Sequence, residues 1–204
     1  MKTVSFNQAL AAAREQSDYI EDGTFAKDCV CGADASKIEC KNSTFKDCTF
    51  TDCRFAWASF YECTFEDCVF SGCVFTDAFF RNAKLSRCQC DGCNFSGSHM
   101  RDSILFHSGF RYATFYKGVW NRVTLDNSNF KEAALTEMRL TKPVFKKTDF
   151  TGADFFKTPL KGLDLCDCVI DGIAVSDSCA ELRGAKITAE QAPTVARLIG
   201  VRIV

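Results

Sequence analysis

Few residues of this sequence are proline (3 of 204), tryptophan (2), histidine (2) or tyrosine (4). Two histidines leave few nitrogen ligands for a zinc site. No stretch approaches the roughly 20 consecutive apolar residues that a membrane helix needs, so no membrane association is expected. Neither charge sign dominates: the net charge is −1, so the chain as a whole is neither a polyanion nor a polycation. No GxGxxG or GxxxxGK[ST] pattern occurs, and no nucleotide site is indicated. The opening MKTVSFNQALAAAREQSD has one early Lys, no sustained apolar run and an Arg-Glu pair, which does not fit a secretory signal. A cytoplasmic, reducing compartment with free thiols is expected.

Against these shortages stand 20 phenylalanines and 14 cysteines. Both follow one rule. Stepping by five from Phe45 to Leu165 meets 25 apolar residues, 15 of them Phe, with no break in phase. The central positions include Phe45, Phe50, Phe55, Phe60, Phe65, Phe70, Phe75, Phe95, Phe110, Phe115, Phe130 and Phe150. Two residues earlier in each unit, 21 of 25 positions are Gly, Ala, Ser, Cys or Thr. Cys48, Cys53, Cys63, Cys68, Cys73, Cys88 and Cys93 fall there. The other three positions hold most of the charged and amide side chains.

A period of five matches neither a helix at 3.6 nor a strand at 2. It requires a regular bend every five residues, with one large and one small side chain of each unit turned inward. A single unit cannot bury its apolar group, so successive turns must stack as an all-β solenoid.

The segments STFKDCTFTDC and TGADFFKTPLKGLDL resemble the pentapeptide-repeat family. The resemblance covers roughly Tyr19 to Ala180. It implies a right-handed quadrilateral parallel β-helix with four pentapeptides per coil. Residues 20 apart would then stack about 4.8 Å apart, and about eight coils would make a rod of roughly 40 Å.

Solenoids need end caps. Residues 1–18 are read as an N-terminal helical cap, with a capping box at Ser5-Phe-Asn-Gln8 and a helix near 6–16. Residues 19–182 are read as the β-helix, although Asp28 and Ile38 are poor small inward residues. Either the first coils are irregular or Asp28 bonds exposed backbone there. Near the end the phase slips by two, with Leu182 and Ile187 in place of 180 and 185. Residues 183–204 are read as a helix from about 189 to 199 and an extended tail. Thr188-Ala-Glu-Gln191 is a second capping box, and Gly200 is a natural helix stop. This end is similar to the C-terminus of quinolone-resistance (Qnr-type) members of the family. That likeness implies a two-fold dimer, with Leu198, Ile199, Val201, Ile203 and Val204 as contacts; an exposed apolar edge tends to be paired.

The cysteines admit three chemistries. As small buried hydrophobes they stand where Ala would in a packed column. A zinc reading would rest on Cys29 and Cys31, on Cys88, Cys90 and Cys93, and on Cys166 and Cys168, none with paired CxxC spacing. A disulfide ladder is disfavoured because stacked Cβ vectors would run parallel. His99 and His107 lie on outer strips without a nucleophile or acid that the repeat leaves unexplained. No catalytic residue, metal or cofactor is therefore assigned.

Charge is distributed unevenly. Residues 81–147 carry a net +7, while residues 43–80 carry −4. The basic waist comprises Arg81, Lys84, Arg87, Arg101, Arg111, Lys117, Arg122, Arg139, Lys142, Lys146 and Lys147, which the sequence spreads over several faces. It is either an ordinary solvated surface or a docking band for an acidic partner or nucleic-acid backbone. The expected function is a rod-shaped protein-interaction module without catalysis or direct nucleic-acid binding. The alternative, implied by the Qnr likeness, is a DNA mimic that binds DNA gyrase or topoisomerase IV. Mimicry needs a phosphate-like negative surface, and the basic waist runs against it.

Overall fold

Five residues per side and four sides per turn define the computed structural model, which describes residues 4–203. Paired strands run parallel and lie 20 residues apart, as in Phe45↔Phe65, Phe60↔Phe80 and Leu105↔Leu125. The first face is a seven-stranded sheet running from Tyr19–Glu21 to Arg139–Thr141. The second is a seven-stranded sheet from Thr24–Ala26 to Val144–Lys146. The third begins with Cys29–Cys31, Thr49–Thr51 and Val69–Ser71 and continues as single bridges to Val169. The fourth consists of bridges from Asp34↔Arg54 to Asp154↔Ala174.

The bend that a period of five demands is made two residues after each large residue. There the backbone turns left-handed, as at Asn42 (φ 47), Asp67 (φ 53) and Lys117 (φ 56). Asp, Asn and Gly tolerate this region best, and they recur at the corners.

Inside, aromatic rings stack coil on coil. Phe45 lies 4.7 Å from Phe65 and Phe75 lies 4.7 Å from Phe95, with rings within 10° and 2° of parallel. Neighbouring columns meet edge to face, as in Phe50–Phe55 at 76°. Both arrangements suit the ring quadrupole. Cys90 interrupts one Phe column and is fully buried. Pro143 and Leu163, two large residues at small positions, are only half-buried.

Helix α1 (Phe6–Gln16) carries the expected reciprocal capping box between Ser5 and Gln8. Phe6 is fully buried and enters the open end of the solenoid, its ring 5.4 Å from Phe25 and 5.6 Å from both Phe45 and Phe50. Its period-breaking position hid it from the sequence reading. Asp28 does bond exposed backbone: its carboxylate accepts from the Phe6 N–H at 2.5 Å. Arg14 donates to the carbonyls of Asp34 and Ser36 and tethers α1 to the first coil. Ile38, awkward in the repeat, is fully buried at its small position.

At the other end the backbone confirms the two-residue slip. Phe155 N–H donates to the carbonyl 19 residues on, whereas Leu160 and Leu165 donate to carbonyls 21 residues on, at Glu181 and Lys186. A 3-10 turn, Ala180–Leu182, absorbs the extra residues. Helix α2 spans Ala192–Leu198, three residues later than the sequence predicts at its start. Thr188 and Gln191 do exchange hydrogen bonds, at 2.9 and 3.3 Å, but they close a turn. A helix begun at 189 would need a donor at Pro193, which has none; Pro193 therefore has to lie in the first turn. Gly200 (φ 79) ends α2, with Val201 N–H donating to Ala196 and Gly200 N–H to Arg197. This is a Schellman stop.

Candidate interaction surface

The cysteine columns are built for packing with one polar duty. Cys48, Cys53, Cys63, Cys68, Cys73, Cys88 and Cys93 are at most 1% exposed. Each thiol donates to the carbonyl of the large residue 23 positions earlier, as Cys63 does to Cys40 at 3.3 Å and Cys73 to Phe50 at 3.4 Å. Hydroxyls take over this bond higher in the rod, with Ser128 donating to Leu105 at 3.1 Å and Thr158 to Leu135 at 2.5 Å. The same positions also hold Ala58, Ala78, Ala113 and Ala153, so the column selects a small residue and a donor there adds one hydrogen bond. Burial pushes the thiols of Cys63 and Cys93 up to about 11 and that of Cys73 to about 12. They stay protonated at neutral pH, which suits neither a nucleophile nor a metal ligand. Cys29, Cys31 and Cys166 are exposed. Among the described residues no group of three or more His, Cys, Asp or Glu side chains is placed to hold a metal ion.

His99 stands on the first face, its ring 5.1 Å from Phe79 on the preceding rung. His107 occupies a second-face corner and lies edge-on to Phe106 at 4.1 Å. The two histidines thus belong to different surfaces.

Tyr19, Tyr61, Phe79 and His99 stand on the outer side of the first face, while the more exposed Tyr116 and Phe156 stand on the fourth. One column along the first face reads Tyr19, Glu39, Ser59, Phe79, His99, Val119, Arg139, and the adjacent column reads Glu21, Lys41, Tyr61, Arg81, Arg101, Asn121, Thr141. Two shallow grooves follow it. One of about 310 Å³ is lined by Tyr61, Phe79, Arg81, His99, Arg101 and Val119. The other, about 510 Å³, runs along the corner shared with the fourth face and includes His99, Tyr116, Val119 and Arg139. Trp57 occupies that corner, 54% exposed and left-handed at φ 61. A bulky side chain in that conformation is uncommon and costs backbone energy.

The basic waist is less scattered than the sequence implied. Arg81, Arg101, Arg122, Arg139 and Lys142 lie on the first face or its corner, and Lys84, Arg87, Lys146 and Lys147 lie on the adjoining second face and its corner. Lys117 lies at the corner with the fourth face, and only Arg111, on the third face, lies elsewhere. Part of the charge is neutralised between coils: Arg87 binds Glu66 and Asp67 at 2.5 and 2.6 Å, Arg111 binds Asp91 at 2.8 Å and Arg122 binds Asp102 at 2.5 Å. These partners lower the carboxyl pKa values of Asp67 and Asp102. Arg101 Nε lies 3.4 Å from the same Asp102, whereas Arg81 and Arg139 have no ion pair among the described residues.

At the C-terminus, Leu198 is half-buried and packs on the core. Ile199, Val201 and Ile203 are exposed, and residues 201–203 form no strand within the chain. Val204 lies outside the described residues. Among those residues, no helix is long and apolar enough to cross a membrane.

Comparison with known families and structures follows the same architecture. Residues 43–117 match a family model described as a pentapeptide repeat region, and residues 121–155 match one described as pentapeptide repeats (8 copies). Together they span just over half of the chain. No curated protein matches the sequence. A trypsin-treated form of QnrB1, titled a plasmid-mediated fluoroquinolone resistance protein, is 18% identical with a TM-score of 0.54; the match covers 89% of this chain and all of that one. HetL, titled a pentapeptide repeat protein involved in heterocyst differentiation regulation from the cyanobacterium Nostoc, is 12% identical with a TM-score of 0.41, covering 90% and 97%. At these identities the likeness concerns the fold.

Proposed function

The chain belongs to the pentapeptide-repeat family, and on that premise we propose that it is a non-catalytic rod that presents a side face to another protein. The observation that carries this reading is the first face. It combines Tyr61, Phe79, His99 and Val119 with exposed arginines, on a sheet whose inner side is fully packed. Aromatic residues and Arg are enriched at protein interfaces. The rigid ladder beneath them holds the side chains at fixed spacing, which lowers the entropy cost of association.

A photoreactive phenylalanine analogue placed at Asn121 on the first face, or at Asn129 on the third, tests the reading in cells. Protein adducts from position 121 and none from 129 are expected. Equal adducts, or none, overturn it.

The second reading is a DNA mimic acting on a type II topoisomerase. Its support is the end-to-end fold likeness to QnrB1. The exposed arginines at the middle of the rod run against it, because gyrase would meet positive charge where DNA offers phosphate. A gyrase supercoiling assay with and without ciprofloxacin separates the two readings: neither inhibition nor rescue at micromolar protein is expected. A homodimer through Ile199, Val201 and Ile203 completes the proposal, since these residues are exposed in the single chain.

A further inference from the structure

We propose that the first face, over the strands centred on residues 80 to 140, binds a short acidic protein segment that also carries an apolar side chain. The inference rests on the interaction-rod reading and names the chemistry of its partner.

Three observations carry it. Arg81 and Arg101 are register partners on neighbouring strands, so their side chains rise side by side about 4.8 Å apart. Arg81 has no ion pair among the described residues and can take a carboxylate in a two-pronged hydrogen bond, while Arg101, whose Nε lies 3.4 Å from Asp102, keeps its two terminal nitrogens for a second carboxylate. Next to this basic column runs an apolar one, with Phe79 stacked on His99 and Val119 beyond. The groove between Phe79, Arg81, His99 and Arg101 joins both columns, so one ligand residue can bury an apolar group while its neighbour reaches an arginine. Arg139 closes the apolar column at its far end and lines the adjoining groove.

The third observation limits the ligand. On the preceding rungs the same face and its corner carry Glu39 and Glu62, with Glu21 paired to Lys41 at 2.9 Å. The positive stretch therefore spans four rungs, about 14 Å, the length of some four or five extended residues. A long polyanion such as a nucleic-acid strand would run on over Glu39 and Glu62 and be repelled there. A finite acidic peptide would not.

The test uses the full chain and a fluorescein-labelled eight-residue peptide of alternating glutamate and phenylalanine, followed by fluorescence polarisation at low salt. Saturable binding that declines with added salt is expected. Arg81→Gln combined with Arg101→Gln should weaken it about tenfold. Lys84→Gln combined with Lys146→Gln, an equal loss of charge on the second face, should leave it unchanged. All four side chains are exposed, and matching thermal midpoints would verify the fold. Phe79→Ser should weaken binding without changing its salt dependence. Absence of binding, an equal loss in both double variants, or equally tight binding of labelled oligothymidylate overturns the proposal. If the peptide fails while adducts at position 121 persist, the rod reading stands and the acidic-ligand assignment falls.

Discussion

The carboxylate of Glu181 accepts a hydrogen bond from the backbone N–H of Lys157 at 2.8 Å, while its other oxygen holds the N–H and hydroxyl of Ser176 at 3.2 and 2.8 Å. Glu181 is 5% exposed, so this acid closes the last coil from within. Burial alone would raise its pKa, but the hydrogen bonds outweigh burial and hold it below the usual carboxylate value. Glu181→Ala should cost about 1–3 kcal/mol at neutral pH, because three part-buried donors lose their acceptor. A folded-state pKa below the unfolded one contributes stability above the unfolded pKa and loses it as pH falls through the folded value. Urea melts from pH 7 down to about 3 should therefore show a steeper acid decline in the native chain than in Glu181→Gln.

Removing the N-terminal plug should be more damaging. Phe6→Ala leaves the end of the aromatic column open and should cost about 3–5 kcal/mol. Amide exchange would accelerate first in the coils around Phe25 and Phe45, which Phe6 touches. Uniform acceleration along the rod would refute the plug.

Thiol accessibility offers a direct readout of the columns. In native protein, Ellman's reagent should modify Cys29, Cys31 and Cys166 rapidly, and the ten buried thiols only after denaturation. Cys63→Ser keeps a small donor to Cys40 and should change stability by roughly 1 kcal/mol or less. Cys63→Leu overfills the column and should cost about 1–3 kcal/mol by thermal or urea unfolding.

Deleting Val201–Val204 should convert a dimer to a monomer in sedimentation analysis without altering the melting of the rod. An unchanged mass would refute a dimer contact through this tail.

The repeat was legible because each coil solves the same packing problem. Phe45, Phe65 and Leu85 share one environment, so one rule predicts all three. The slip before Leu182 was legible for the same reason: a broken period is visible against a regular one. Phe6 was not, because a plug used once has no period to betray it. The start of α2 was misjudged because the Thr188–Gln191 pair reads as a helix cap, whereas Pro193 decides where the helix can begin. The surface was only half legible. The sequence names Arg81 and Arg101 as basic, but their shared column beside Phe79 emerges only from the twenty-residue register.

The two-residue slip also bears on polymerisation. A parallel ladder ends in a row of unpaired backbone donors and acceptors, on which a second rod could continue the lattice and start a fibre. At this end the spacing between paired rungs changes from 20 to 22, as in Asp164↔Lys186. An incoming coil in the common register would meet the wrong partners. The longer coil at Ala180–Leu182 thus presents an incoming coil with an outline that a regular 20-residue rung does not match.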